Sequence, residues 1–293
     1  MKTDLYQTVT DRILAALETG TAPWVKPWSS IGGDAQPRNA ISGRAYSGVN
    51  VLLLWITASA CGYEESRWLT FNQAKQAGGS VRKGEKGTQV IFFKRIEIKD
   101  KTGNGDELKT IPLLKAYTVF NLSQCDGLDH LRTPAPVVNE HIRDEIADAF
   151  LKSTGADIRH GEGQAYYTRK HDYVMLPDLC RFNTADDYYS TAFHELGHWT
   201  GHSDRLDRDM GKRFGDHAYA AEELVAELTA SFLCAEFSMD MLTQSAAYLG
   251  HWVAMLKADN KAIVRAAADA TKAADHLRGL ALSDEEDDVQ AAA

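Results

Sequence analysis

Apolar and polar positions change period several times along the chain, and each change marks an element. Leu5, Val9, Ile13, Ala16 and Leu17 recur at the spacing of a helix with one apolar face, and Gly20 stands where its C-terminal cap is expected. Val49 to Ala60 is a nearly apolar stretch interrupted by Asn50 and predicts a second helix; Thr70 to Ala77 predicts a short one stopped by Gly78-Gly79. The period then shortens. Gln89 to Ile98 and Leu113 to Phe120 are rich in β-branched and aromatic residues, with Gly103-Asn-Gly105 between them, and predict a hairpin. Ala156 to Arg159, Gln164 to Tyr167 and Asp172 to Pro177 predict a small sheet whose edge strand suits pairing with an extended peptide. Helical spacing returns after Asn183-Thr184, runs to Gly201, and recurs over Ala221 to Leu233, Met239 to Leu256 and Asn260 to Leu280.

The succession is that of an α+β protein, and the length of 293 residues favours two domains over one. Charge divides the chain in the same way. A net charge of -9 resolves into +3 over residues 1 to 130 and -12 over the remainder. Arg132-Thr-Pro-Ala-Pro136 lies between them and suits an extended connector. The expected organisation is an N-terminal domain over 1–130, a linker over 131–136, a C-terminal domain over 137–282 and an acidic flexible tail over 283–293. No apolar run approaches the roughly 20 residues that span a bilayer, and the N-terminus lacks the uninterrupted apolar stretch of a signal peptide, so a cytoplasmic protein without membrane partners is expected. Cys61, Cys125, Cys180 and Cys234 are scattered and are expected to be reduced and buried.

Within the first part, Arg67, Lys75, Arg82, Lys83, Lys86, Lys94 and Arg95 face a single acid, Glu85, over the stretch from Arg67 to Arg95. Trp68, Phe71, Phe92 and Phe93 are interleaved with them; Trp24, Trp28, Tyr46 and Trp55 precede and Tyr117 and Phe120 follow. Cations that track phosphates, together with flat rings on which unpaired bases stack, are what holding a single DNA strand requires. The candidate contacts are Lys26, Trp28, Arg44, Arg82, Lys83 and Lys86. Core burial of the rings is the competing explanation.

The second part carries His194-Glu-Leu-Gly-His198. On a helix, positions four apart share a face, so both imidazoles can bind one Zn2+ ion while Glu195 takes the proton of a metal-bound water attacking a carbonyl. Thr184 or Asn183 can cap this helix, with Asp186 and Asp187 in its first turn. Downstream, Glu223 and Glu227 are again four apart. Glu223 is the expected third ligand and Glu227 the acceptor for the outer N–H of a ligand histidine, although the reverse assignment also satisfies the spacing. His194 to Asp204 further resembles the HExxHxxGxxH pattern, with Gly201 in place and Asp204 where the last histidine belongs, which makes Asp204 an alternative ligand. His202, and His217 and Tyr219 in an expected loop before the glutamate helix, are not selected by spacing.

Taken together, the two halves resemble the ArdC-type antirestriction proteins of conjugative plasmids. The resemblance rests on Ala22-Pro-Trp-Val-Lys-Pro-Trp28, Asn39 to Asn50, Trp68 to Ala74, Gly84-Glu-Lys-Gly87, Val119-Phe-Asn121, His194 to His198, Thr200-Gly-His202 and Glu222 to Glu227. It implies an N-terminal domain that binds single-stranded DNA, fused to a zincin-like metallopeptidase domain, with protection of incoming plasmid DNA from host restriction. It carries the metal role to His194, His198 and Glu223 and the general-base role to Glu195, with a host restriction-system protein or another protein as the implied substrate. Two other readings fit the same residues. In one the metal site is structural and protection comes from coating the strand; in the other the acidic second part mimics DNA.

Overall fold

A computed structural model gives the fold, and its described residues are 4–19, 22–25, 35–99, 108–132, 140–211, 217–241 and 246–291. Helix α1 (Leu5–Glu18) is capped by Asp4, whose carboxylate accepts from the Tyr6 N–H at 3.0 Å. It buries Val9, Ile13 and Leu17, the stripe its periodicity picks out, and closes on Thr19; Gly20 lies outside the described residues. Next come β1 (Arg38–Asn39), α2 (Val49–Cys61), β2 (Arg67–Leu69), α3 (Phe71–Gln76), β3 (Ser80–Val81), β4 (Thr88–Lys99), β5 (Leu108–Asn121) and β6 (Cys125–Asp126). The main sheet has the order β1-β2-β5-β4, with β4 and β5 paired antiparallel along their whole length as the expected hairpin. The Gly103-Asn-Gly105 turn lies outside the described residues. Strand β4 is an edge. The side chain of Asn50, near the start of α2, closes part of that edge by accepting from Ile91 N–H at 2.7 Å and donating to Ile91 C=O at 2.8 Å.

The second half contains α4 (Glu140–Ser153), the three-stranded sheet β7 (Asp157–Gly161), β9 (Tyr173–Pro177) and β8 (Tyr166–Thr168) in that order, and then α5 (Ala185–Trp199), α6 (His217–Phe237), α7 (Ala246–Ala258) and α8 (Ala262–Ala291). Val174 and Leu176 of β9 pack with Ala192, Phe193 and Leu196 of α5, so the sheet supports the helix that carries the histidines.

The two halves share a core. Val9 and Ile13 of α1 and Leu52, Leu53 and Trp55 of α2 pack with Leu224, Leu228 and Phe232 of α6, Trp252 of α7 and Ile263 of α8. Helix α2 is buried on two sides over residues 49–58, because Leu54 and Ala58 pack under the main sheet against Trp68, Val90 and Val119. Trp24 meets Trp252 edge to face with ring centroids 5.4 Å apart, and the Ser231 hydroxyl donates to Trp24 C=O at 2.6 Å. Charge asymmetry marks where the sequence changes character, not where burial stops.

Several expectations need correction. Helix α7 is Ala246–Ala258 where Met239 to Leu256 was expected; Met239 and Met241 are buried in one core cluster with α5. Helix α6 starts four residues earlier than expected, so His217 and Tyr219 lie in its first turn and not in a loop. Helix α8 continues through the acidic stretch from Ser283 to Ala291, where a flexible tail was expected; no glycine or proline there terminates it. All four cysteines are free, but Cys61 and Cys180 are exposed; only Cys125 and Cys234 are buried. Residues 133–136 of the expected linker lie outside the described residues, and no described helix is long and apolar enough to cross a membrane.

Candidate metal centre

Thr184 caps α5 by accepting from the Asp187 N–H at 3.0 Å, and Asp186 and Asp187 occupy the first turn where the helix dipole favours anions. From this start the register places His194 and His198 one turn apart with ring centroids 4.9 Å apart. Helix α6, buried without a break from Glu222 to Ala235, crosses α5 beside them. The crossing is close because position 197 is glycine: a Cβ there would lie 2.9 Å from Ala226 Cα, a contact with backbone that no rotamer change relieves.

That approach delivers Glu223. One of its carboxylate oxygens lies 3.7 Å from His194 Nε2 and the other 3.5 Å from His198 Nε2. Ligand atoms about 2.0–2.1 Å from a tetrahedral zinc are about 3.4 Å apart; both nitrogen–oxygen separations are close to that edge length, and the three ligand atoms all lie within 4.8 Å of one another. Among the described residues these three form the one group of histidine, cysteine and acidic side chains with metal-holding geometry. Asp204 is not in it: its side chain is 81% exposed and faces His202 Nδ1 at 3.6 Å.

Each imidazole also has a carboxylate behind it. His194 Nδ1 lies 3.6 Å from Glu227, which is fully buried, and His198 Nδ1 lies 3.2 Å from Glu222. Glu222 is in turn held by Arg208, with Nη2 to Oε1 at 2.7 Å and Nε to Oε2 at 2.9 Å. Arg208 reaches back to the end of α5, donating to Gly197 C=O at 2.7 Å and to Thr200 Oγ1 at 2.8 Å. Gly201 leaves room for it, since a Cβ there would lie 3.0 Å from Arg208 Nη2.

The electrostatics follow from burial opposed by partners. Burial favours the neutral form of Glu222, but Arg208 and His198 outweigh it and hold the carboxyl below its ordinary value; His194 and His198 do the same for Glu223. Burial would deprotonate His194, yet Glu223 and Glu227 keep its pKa well above the ordinary value. Burial raises the Tyr219 pKa, reinforced by its hydrogen bond to Glu223 and by a second to Tyr248 of α7. Glu195 is 8% exposed, on the same helix as the histidines.

Sequence reasoning missed Glu222, Arg208, Tyr248 and the role of Gly197. Glu222 was visible as the first of two adjacent glutamates, which a helix points about 100 degrees apart, so that one can ligate while its neighbour backs a histidine. Arg208 and Tyr248 come from other segments and leave no local signal.

In the N-terminal half the candidate DNA contacts separate. Arg44, Lys83 and Lys86 are exposed, and Lys26 and Trp28 lie outside the described residues. Arg82 is exposed but engaged, pairing with Glu85 at 2.9 Å and Asp126 at 3.5 Å and donating to Ser123 C=O. Trp24, Trp55 and Trp68 are core residues, whereas Phe71, Phe92, Phe93 and Tyr117 stay about half exposed. Phe92 and Tyr117 meet edge to face at 6.1 Å on the hairpin.

The fold has a solved counterpart. The metal-free crystal structure of the antirestriction protein ArdC from plasmid R388 superposes with a TM-score of 0.81 at 44% identity, over 96% of this chain and 99% of that one. The chain belongs to the ArdC family of antirestriction proteins. The Mn(II)-bound structure of R388 ArdC matches with a TM-score of 0.78 at 44% identity, over 95% of this chain and 98% of that one. Residues 3–120 match the model for the N-terminal domain of anti-restriction factor ArdC, and residues 145–269 that for a zincin-like metallopeptidase. The protein y4eC of Sinorhizobium fredii is 39% identical over 300 residues, 99% of this ArdC-family chain and 97% of y4eC. A DNA primase TraC of Escherichia coli is 40% identical over 295 residues, 94% of this chain; the chain spans 27% of that primase.

Proposed function

We propose that this ArdC-family protein holds one divalent ion, zinc by preference, on His194, His198 and Glu223, cleaves a peptide bond there with Glu195 as general base, and binds single-stranded DNA through its N-terminal half, so that incoming DNA is protected from restriction. The observation that carries the reading is the triangle of two Nε2 atoms and one carboxylate at 3.5 and 3.7 Å, with a further carboxylate behind each imidazole. Two imidazoles and a carboxylate suit zinc, and the same donors accommodate manganese, the ion in the R388 relative's second structure.

When bound, such an ion supplies Lewis acidity and a water acidic enough to lose a proton near neutral pH. The protein's own residues do the rest. Glu222, in hydrogen-bond contact with His198 Nδ1, orients that ring, and buried Glu227 faces His194 Nδ1 at 3.6 Å, so that the ring nitrogen turned toward Glu223 is Nε2 in each case. Tyr219 holds the Glu223 carboxylate by its hydrogen bond. Glu195, one residue past His194, takes the proton of the attacking water and returns it to the departing amine. The β7-β9-β8 sheet has β7 and β8 as its outer strands, against which an extended substrate can lie.

Single-strand binding is supported by the exposed Phe92, Phe93 and Tyr117, by the exposed Lys83 and Lys86 of the loop that leads into β4, and by Lys115, register partner of Phe92. These rings are independent of the metal centre, which favours a second reading in which strand coating alone protects. The test is transfer of unmodified DNA into a restricting host in the presence of wild type, Glu195→Gln or His198→Ala. Loss of protection with both variants, at wild-type protein levels, is expected. Full protection by Glu195→Gln would transfer the function to the strand-holding half.

A further inference from the structure

Between α1, α2 and the start of β4 lies a cavity of about 340 Å³ that the metal centre does not use. Its floor is apolar, with Leu53 of α2 and Ile91 of β4, and Ala116 of β5 forms one wall. Its polar side chains are cationic or neutral, among them Arg12 of α1, Lys86 of the glycine-flanked loop, Thr57 and Gln89. None of the residues lining it is acidic.

Arg12 is the informative group. Its guanidinium donates to the Thr57 hydroxyl at 2.8 Å, and no carboxylate among the described residues pairs with it. Burial alone displaces its pKa, downward, with no anion opposing the shift. A permanently charged group, partly withdrawn from water and facing only a neutral hydroxyl, is placed to accept an anion. The second cation arrives on a fixed loop: Gln124 donates to Lys86 C=O at 3.0 Å and to Glu85 at 2.9 Å, while Arg82 is tied to Glu85 and Asp126. With its backbone held and its ammonium exposed, Lys86 sits at the mouth of the cavity.

We infer that this cavity is a nucleotide pocket, taking one phosphate between Arg12 and Lys86 and one base against Leu53, Ile91 and Ala116. The volume is at the lower end of small-molecule sites, about 300–1,000 Å³, and suits a single nucleotide. A forked guanidinium and an ammonium lining one cavity with apolar side chains, and with hydroxyl and amide groups for base edges, match a phosphate ester of a nucleoside better than a simple anion. Ala116 lies next to Tyr117 on β5 and so on the opposite face of the hairpin from Tyr117 and its cross-strand neighbour Phe92. The pocket is therefore a second site, separate from Phe92 and Tyr117, whereas Phe93 shares the face of Ile91 and Ala116. The pocket deepens the single-strand reading above but does not need it, because the same chemistry accepts a free nucleoside monophosphate.

The test uses full-length protein with two probes, a fluorescein-labelled oligothymidylate of about 20 nucleotides and free dTMP, and two variants. Arg12→Gln removes the charge; the fold tolerates it because the Thr57 hydroxyl still donates to Leu53 C=O at 2.9 Å. Ala116→Tyr fills the cavity from an exposed strand position that suits an aromatic side chain. Both variants are expected to keep wild-type melting and metal uptake and to weaken oligothymidylate binding about tenfold, with Arg12→Gln flattening the log–log salt slope by about 0.7. Displacement of the oligomer by dTMP from wild type would mean that the pocket also serves free nucleotide; no displacement, with both variants weakened, would confine it to the strand. Wild-type binding by both variants would overturn the pocket while leaving the strand reading to stand on Phe92 and Tyr117. If wild type binds no oligomer, the strand reading fails, and dTMP decides the pocket alone: saturable binding lost in both variants sustains it, and no binding ends it.

Discussion

The metal centre and the β4–β5 hairpin solve opposite problems. At the centre every carboxylate that faces a histidine is held in place: Glu222 by Arg208, Glu223 by both histidines and Tyr219, Glu227 by a fully buried position behind His194. On the hairpin the functional candidates stand in water, Phe92 at 48% and Tyr117 at 47% exposure, with Lys83 and Lys86 extended from a loop whose backbone alone is fixed. Coordination needs atoms fixed to a few tenths of an ångström, which a packed crossing of two helices provides. A flexible polyanion needs only rings and charges along its path, and rigidity there would add little.

The contrast predicts very different costs of mutation. Glu222→Ala is expected to be the most damaging, because it leaves Arg208, only 10% exposed, without its carboxylate; the loss should be about 3–5 kcal/mol in denaturant unfolding. Gly197→Ala comes next. It pushes Cβ into the α6 backbone and should destabilise by about 1–3 kcal/mol while weakening metal uptake far more than that figure alone implies, since Glu223 moves with α6. A metal affinity unchanged in a folded Gly197→Ala protein would show that the close crossing is not what delivers the ligand.

The effect of pH should be intermediate and two-sided in the metal-free protein. Glu222 and Glu223 are held below the ordinary 4.5, so their stabilisation is present above that value and lost as pH falls through the lower values of the folded state. His194 is held well above 6.5, so its contribution is complete below 6.5 and lost as pH rises through the raised value. Melting temperatures followed across pH should fall on both limbs, and a bound divalent ion should abolish the alkaline one, because the ion replaces the proton. Smallest in stability is Phe92→Ala with Tyr117→Ala: within about 0.5 kcal/mol of wild type in unfolding, yet weaker for oligothymidylate by about 1–3 kcal/mol per lost stack.

The same contrast explains what could be read from the chain alone. His194, Glu195 and His198 were legible because a helix turns their spacing directly into shared direction, and Glu223 and Glu227 were legible for the same reason. Arg208 was not, because its meeting with Glu222 depends on how a loop folds back over the end of α5. The long hairpin was legible from its β-branched and aromatic runs, whereas β1 and β2, two and three residues long, exist only because neighbouring strands recruit them. Composition marked the aromatics as one set, but only tertiary packing separates buried Trp24, Trp55 and Trp68 from exposed Phe92 and Tyr117. The shared core of α1, α2, α6, α7 and α8 was hidden for the same reason: helical periodicity reports that a face is buried, not against what.

The central claim is that α5 and α6 together hold one divalent ion. Chelator-stripped wild type, His198→Ala and Glu223→Ala, each shown to be folded, should be titrated with zinc while binding heat is recorded. One equivalent bound by wild type, with affinity lost in both variants, is the predicted result. Undiminished binding by folded Glu223→Ala, or no binding by wild type, would contradict it.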